Sequence, residues 1–337
     1  MKAAVLEKQG EPIKILHDVD VIDPRPGEVR VRVKYCSLCH SDSSVMGGVM
    51  GELASPIILG HEAAGIVDSV GPGVTHLQTG DPVALAPAPP CGICYYCQRG
   101  DHSLCVNGLG IQTNALPDGE TGFSRDGEKV LRGLGVGGLG EYTITPASGA
   151  IKLPDDIPLD VACVIGCAIQ TGVGAVLNTA KVEQGATVLV TGLGGVGIAV
   201  VQGARIAGAT TIIASDPIAE RRELALKLGA THAIDPSSDD LGALCHELTS
   251  GIGLDYAFET AGHARLIEQC VDLIRAGGTT ICVGAPPIDQ HLTLKHVVIF
   301  GAMGKNLCGC LNGSSNAPYE IPRLVRLWQT GQLNLEE

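Results

Sequence analysis

Beyond about residue 169 the chain alternates two hydrophobic patterns. Apolar runs of strand length, Thr187–Thr191 (TVLVT), Thr211–Ser215 (TIIAS), Leu254–Glu259 and Thr279–Val283, are separated by segments of helical period, Val196–Ala207, Ala219–Leu228 and Ala264–Ile274. Near-continuous apolar strands between amphipathic helices predict a parallel sheet covered on both faces. Residues 1–150 read differently. Short alternating or β-branched runs, Val29–Val33 (VRVRV), Ile66–Val70, Pro82–Leu85 and Glu141–Ile144, are cut by turn signals at Pro24–Gly27, Gly71–Gly73 and Gly80–Pro82. That pattern predicts a compact β-rich domain.

The first helix of the alternating region carries a phosphate-loop signature. Thr187–Val190 runs into Gly192-Leu-Gly194-Gly195-Val196-Gly197, a G-x-G-x-x-G turn between strand and helix. Glycines there permit a tight turn and close approach to a pyrophosphate, and the helix N-terminus offers unpaired N–H groups. An acidic residue is expected at the end of the next strand to hold the adenosine ribose. Asp216 stands there, directly after TIIAS. A carboxylate at that place favours NAD over NADP. Arg221 and Arg222 lie a turn beyond, either facing a phosphate or paired with Glu220 or Glu223 on a solvated face.

Thirteen cysteines change the picture further. The first sixteen residues place charges at Lys2, Glu7, Lys8 and Glu11 with no apolar signal-peptide core, so a cytoplasmic location is expected, where clustered cysteines bind metal more often than they pair. Cys91-x2-Cys94-x2-Cys97-x7-Cys105 is such a cluster, a closed four-thiolate set of the structural zinc type. A second constellation is dispersed. Cys39-His40-Ser41-Asp42 and Gly60-His61-Glu62 each follow an apolar strand, and Cys163 or Cys167 offers the third ligand of a site with one open position. Spacing does not choose between those two cysteines.

Charge excludes some functions. Lys and Arg number 23 against 36 Asp and Glu, a net charge of −13, which disfavours nucleic acid and anionic membrane surfaces.

These motifs, CxxCHSD (36–42), GHEAAG (60–65), the four-cysteine loop, GCAIQTG (166–172) and GLGGVG (192–197), occur together and in order. The chain resembles the zinc-dependent alcohol dehydrogenases of the medium-chain dehydrogenase/reductase superfamily along its whole length. The resemblance implies an α/β protein with a GroES-like β-rich catalytic domain (residues 1–168 and 306–337, with the zinc lobe at about 91–105). A Rossmann NAD-binding domain of doubly wound parallel sheet would occupy 169–305. It implies two zinc ions per chain. The catalytic ion would be held by Cys39, His61 and Cys167, with Glu62 as an occasional ligand, and the structural ion by Cys91, Cys94, Cys97 and Cys105. Ser41 would relay the alcohol proton and Asp42 orient His61. His40, Thr171, Gly192, Gly194, Gly195, Val196, Gly197, Asp216 and Arg221 would bind NAD, with Thr171 and Val196 against the nicotinamide. The partner molecule would be a small alcohol or aldehyde, and the assembly a homodimer or a tetramer of dimers.

Departures from the family pattern carry expectations of their own. Ser44 stands where many members end the proton relay with a histidine, so a wetter relay is expected. The positions aligned with bulky pocket residues hold Met50, Pro87, Gly110, Gly133 and Ala285, with Leu134 and Leu311 apolar, which favours a bulky or aryl alcohol. The acidic residue and arginine of the glutathione-linked formaldehyde branch are replaced at Met50 and Leu109, which disfavours hydroxymethylglutathione. The chain ends at Gln332-Leu-Asn-Leu-Glu-Glu337, where members usually continue with a helix and a strand, and weaker cofactor binding is expected without them. Alternatives are a formaldehyde dehydrogenase using another thiol, a nicotinoprotein that keeps its NAD, and a non-enzymatic NAD-binding protein.

Overall fold

The computed structural model describes every residue except Ser55 and divides the chain into two compact units. The first holds Met1–Ala168, Ser315–Thr330 and Glu336, and the second Ile169–Ser314, Gly331–Leu335 and Glu337.

In the first unit a five-stranded antiparallel sheet runs in the order Tyr142–Pro146, Glu28–Ser37, Glu62–Val70, Pro82–Leu85, Ala150–Lys152. The VRVRV alternation works as period 2 demands: Val29 and Val31 are buried with Ala63, Val67, Val83 and Leu85, while Arg30 between them is half-buried and Arg32 beyond them is exposed. The pairing of Glu28–Ser37 with Glu62–Val70 slips between Val33 and Tyr35. Such a bulge bends a strand and re-aims the residues after it, here Cys36 to Cys39. A four-stranded sheet, Leu131–Arg132, Ile57–Ile58, Ala3–Leu6, Lys14–Leu16, delivers the other segment that matters, since His61 follows Ile57–Ile58 by three residues. The helix Ala317–Gln329 buries Ile321, Leu324 and Val325, one helical stripe, within this unit.

The second unit is built on six parallel strands. Across the sheet they run His232–Ile234, Thr211–Ser215, Thr187–Thr191, Leu254–Glu259, Ile274–Cys282, Asn306–Gly309, which is third, second, first, fourth, fifth, sixth in chain order. This is the doubly wound dinucleotide-binding order. Both faces are covered. Val188 and Val190 pack with Val200, Val201 and Ala204 of one helix layer, while Leu189 between them packs with Leu241, Cys245 and Cys270 of the other.

Two expectations change. The fifth strand begins at Ile274 rather than Thr279, because Leu254 pairs with Ile274 across a register shift and the preceding helix stops at Leu273. The second boundary, expected at 306, falls after Ser314. Asn306–Gly309 hydrogen-bonds to Ile274–Cys282 as the sixth strand, so residues 306–314 belong with the parallel sheet.

Candidate active site and metal centres

The dispersed constellation comes together inside the first unit. One donor atom each from Cys39, His61, Glu62 and Cys167 lies within 4.8 Å of the others. Cys39 caps the short helix His40–Met46, and its N–H donates to Asp42 Oδ2 at 3.1 Å. Asp42 Oδ1 accepts from Gly60 N–H at 2.9 Å and meets His61 Nδ1 at 3.2 Å. Asp42 and His61 are both buried. A carboxylate on Nδ1 fixes the ring and leaves Nε2 as the ligand atom. Glu62 Oε1 accepts from Ala168 N–H at 3.2 Å, which ties it to the segment carrying Cys167. Cys163 turns away, its thiol donating to the Asp160 carbonyl at 3.1 Å. Ser41 Oγ lies 3.9 Å from Cys39 Sγ. His40 is exposed, and Ser44 is buried.

The electrostatics show how closely these groups compete. The hydrogen bond from Cys167, opposed by burial and helped by His61, draws the Cys39 thiol down to about 4. That same bond, with burial, pushes Cys167 well above the thiol range. Burial works against a charge on His61, yet Asp42 and Cys39 raise it to about 10. Burial and then the Cys39 charge push Glu62 up to about 7. Two sulfurs, an imidazole nitrogen and a carboxylate in this space match the donor chemistry of zinc, and a divalent cation would replace the shared protons.

The second set is closed. Cys91, Cys94, Cys97 and Cys105 also bring their sulfurs within 4.8 Å of one another. Backbone N–H groups serve the sulfurs: Cys91 N and Asn107 N donate to Cys105 Sγ at 3.1 and 3.3 Å, and Cys94 N donates to Cys91 Sγ at 3.3 Å. N–H donors, first that of Cys97, draw Cys94 down to about 6, while burial pushes Cys105 up to about 12. Four thiols with no carboxylate or imidazole among them suit a structural ion.

In the second unit the glycine turn precedes the helix Gly195–Ala207. Gly194 and Gly195 are exposed at its N-terminus and Val196 is half-buried. A Cβ at Gly197 would lie 1.9 Å from the Gly192 carbonyl, so only glycine lets the helix start against the strand. Asp216 is buried, and its two oxygens accept from Leu193 N–H and Ile218 N–H, both at 2.8 Å. Arg221 Nη1 sits 3.5 Å from Asp216 Oδ2, and Arg222 pairs with Asp235 and donates to the Asp216 carbonyl. The arginines therefore pair with Asp216 and Asp235 rather than with Glu220 or Glu223. An exposed helix N-terminus beside a buried carboxylate fits a dinucleotide. Of the expected pocket residues, Pro87 and Leu134 are buried and Met50 exposed in the first unit, while Ala285 and Leu311 are exposed in the second.

One feature of the carboxyl edge escaped sequence reasoning. Glu259 ends the fourth strand fully buried, its Oε1 accepting from the N–H groups of Ala261, Gly262 and His263. Thr260 Oγ1 donates to the Gly192 carbonyl at 2.6 Å. An acidic residue closing an apolar strand was the available signal.

The pattern described as "Alcohol dehydrogenase GroES-like domain" matches residues 25–155, and that described as "Zinc-binding dehydrogenase" matches residues 195–330. An NDMA-dependent alcohol dehydrogenase of Amycolatopsis methanolica is 39% identical, over 100% of this chain and 90% of its own length. The chain belongs to the zinc-dependent alcohol dehydrogenases of the medium-chain superfamily. A probable S-(hydroxymethyl)glutathione dehydrogenase of Schizosaccharomyces pombe is 37% identical, over 100% of this chain and 89% of its own. The crystal structure of benzyl alcohol dehydrogenase from Acinetobacter calcoaceticus superposes with a TM-score of 0.92 at 32% identity, covering 99% of this chain and 90% of that one. The chain is thus an NAD(P)-dependent zinc alcohol dehydrogenase, an oxidoreductase acting on alcohols. Among the described residues no single helix is long and apolar enough to cross a membrane.

Proposed function

We propose that the chain oxidises a bulky primary or secondary alcohol, reversibly, to the aldehyde or ketone, with NAD as the preferred acceptor. The observation that carries this is the open donor set of Cys39, His61 and Cys167, held by Asp42 and flanked by Glu62, in a chain whose other metal set is closed. When bound, zinc supplies Lewis acidity that lowers the pKa of the alcohol, and NAD accepts its hydride. Asp42 keeps the His61 ring oriented. Ser41 Oγ takes up the alcohol proton and passes it on, and the buried hydroxyl of Ser44 continues the relay through water. Asp216 disfavours a 2′-phosphate, with Arg221 held against it. Benzyl alcohol, the substrate in the name of the Acinetobacter structure, suits the small residues aligned with the pocket.

A second copy of the chain is the proposed partner. The strand Asn306–Gly309 pairs on one side only, and Val297, Val298 and Ile299 in the nearby helix are exposed. The reading includes a cytoplasmic location, where the free thiols of both donor sets persist. The NDMA-dependent relative favours a second reading, in which the nucleotide stays bound and an external acceptor reoxidises it.

The test is NADH formation across ethanol, long-chain and benzylic alcohols and hydroxymethyl-thiol adducts, with and without a zinc chelator. Chelator-sensitive turnover is expected, strongest for benzylic alcohols. Chelator-insensitive turnover would remove the metal from the reaction. Silence with free NAD, together with nucleotide released on denaturation, would select the second reading. Replacing Asp216 by Gly is expected to lower the ratio of kcat/KM for NAD over NADP by at least about tenfold. An unchanged ratio would take the ribose role from Asp216.

A further inference from the structure

The glycine turn begins with a peptide unit that is gripped from both sides. Between Gly192 and Leu193 the carbonyl accepts from Thr260 Oγ1 at 2.6 Å, and the N–H donates to Asp216 Oδ2 at 2.8 Å. A peptide unit is planar, so holding its oxygen and its hydrogen holds its plane. Thr260 directly follows the fourth strand and Asp216 the second. These strands flank the first strand, which leads into the turn.

The surroundings leave this unit little freedom. Gly192 holds a left-handed backbone, φ 85°, and a Cβ on it would lie 2.8 Å from Ala261 Cβ. A Cβ on Gly197 would meet the Gly192 oxygen and also Thr260 Oγ1, the latter at 2.8 Å. The carbonyl therefore lies between the start of the helix Gly195–Ala207 and the Thr260 hydroxyl. Thr260 is anchored in turn. Its N–H donates to the Thr191 carbonyl at 3.0 Å. Glu259, just before it, gathers the N–H groups of Ala261, Gly262 and His263 on one oxygen. The Glu259 carbonyl accepts from Val283 and Gly284 N–H, each at 2.9 Å, which ties the segment to the end of the fifth strand. Two residues beyond the gripped peptide, Gly194 and Gly195 are exposed where a pyrophosphate would meet N–H groups. Asp216 serves both this peptide and the expected ribose, whereas the Thr260 hydroxyl bonds only to the Thr191 and Gly192 carbonyls.

We infer that Thr260 is a positioning residue for the pyrophosphate: its hydroxyl, opposing Asp216, sets the plane of the Gly192–Leu193 peptide and through it the aim of the Gly194 and Gly195 N–H groups. The inference rests on the dinucleotide reading above. It separates two contributions that Asp216 combines, since Thr260 steers the phosphate turn without recognising the ribose.

The test uses calorimetry on the zinc-loaded full chain with ADP-ribose, which carries the pyrophosphate, and competition by adenosine, which lacks it. Thr260→Ala and Thr260→Ser differ only in the hydroxyl. Thr260→Ala is expected to weaken ADP-ribose about tenfold and adenosine less than about twofold, while Thr260→Ser stays within about twofold of wild type for both. Thr260→Val, which sets a methyl against the carbonyl, is expected to weaken ADP-ribose at least as much as Thr260→Ala. With Asp216→Ala added to Thr260→Ala, the combined loss is expected to be smaller than the product of the single losses, because both side chains hold one peptide. Unchanged ADP-ribose affinity in Thr260→Ala and Thr260→Val would overturn the inference. So would equal losses for adenosine, a loss in Thr260→Ser matching that of Thr260→Ala, or a double variant whose losses multiply. Wild-type protein that binds neither compound would overturn the dinucleotide reading and this inference with it. Tight ADP-ribose binding indifferent to residue 260 would overturn the inference alone.

Discussion

The Cys91–Cys105 loop and the Cys39–His61–Glu62–Cys167 group each gather four donor atoms within 4.8 Å, but by different means. The loop takes all its ligands from one short stretch of chain and serves its sulfurs with backbone N–H groups. The open group takes its ligands from three distant segments and orients its histidine with a buried carboxylate, Asp42. A local loop of uniform thiolates saturates its ion and contributes to folding. A group assembled by tertiary packing can mix donor types and reserve a position for substrate. Stability and chemistry are thereby divided between two sets with the same number of donors.

The sharpest way to break that division is Cys39→Ser. Its kcat/KM is expected to fall by at least about 10³-fold. Metal analysis should show one zinc per chain in place of two, with Tm changed by no more than a few degrees. Unchanged turnover would remove the open group from the chemistry. Asp42→Asn tests whether orientation of the histidine is a separate contribution. A fall of about 10- to 100-fold in kcat/KM, with weaker zinc retention, is expected. A loss as large as that of Cys39→Ser would make Asp42 indispensable to metal binding rather than a support. The smallest effect on rate belongs to the loop. Cys97→Ser should leave the initial rate at low temperature within about threefold, while scanning calorimetry shows Tm lowered by about 5 °C or more. A rate loss matching that of the open group at unchanged Tm would reverse the two roles.

The loop was legible in advance because its geometry is local. Spacings of two and seven residues between cysteines bring thiols to one ion whatever the rest of the chain does. The strand, glycine turn, helix and Asp216 were legible for the same reason, since hydrophobic period and turn chemistry act over a few residues. The open group was only half legible. Two strand-end motifs announced Cys39 and His61, but spacing left Cys163 and Cys167 equal, and only family resemblance favoured the second. The fold separates them physically: Cys163 gives its proton to the Asp160 carbonyl, and Cys167 faces Cys39 and His61.

By itself, then, the sequence determined what neighbours along the chain can decide: the parallel sheet with its phosphate turn, the β-rich half, and the closed thiolate loop. The tertiary structure alone decided that Asn306–Gly309 joins the sheet as its sixth strand, and that Asn312 holds a buried amide without a partner beside the helix of Thr171. Each of these depends on contact between segments far apart in sequence. Hydrogen-bond pairing, burial and the convergence of donors are properties of such contacts, and neither composition nor period encodes them.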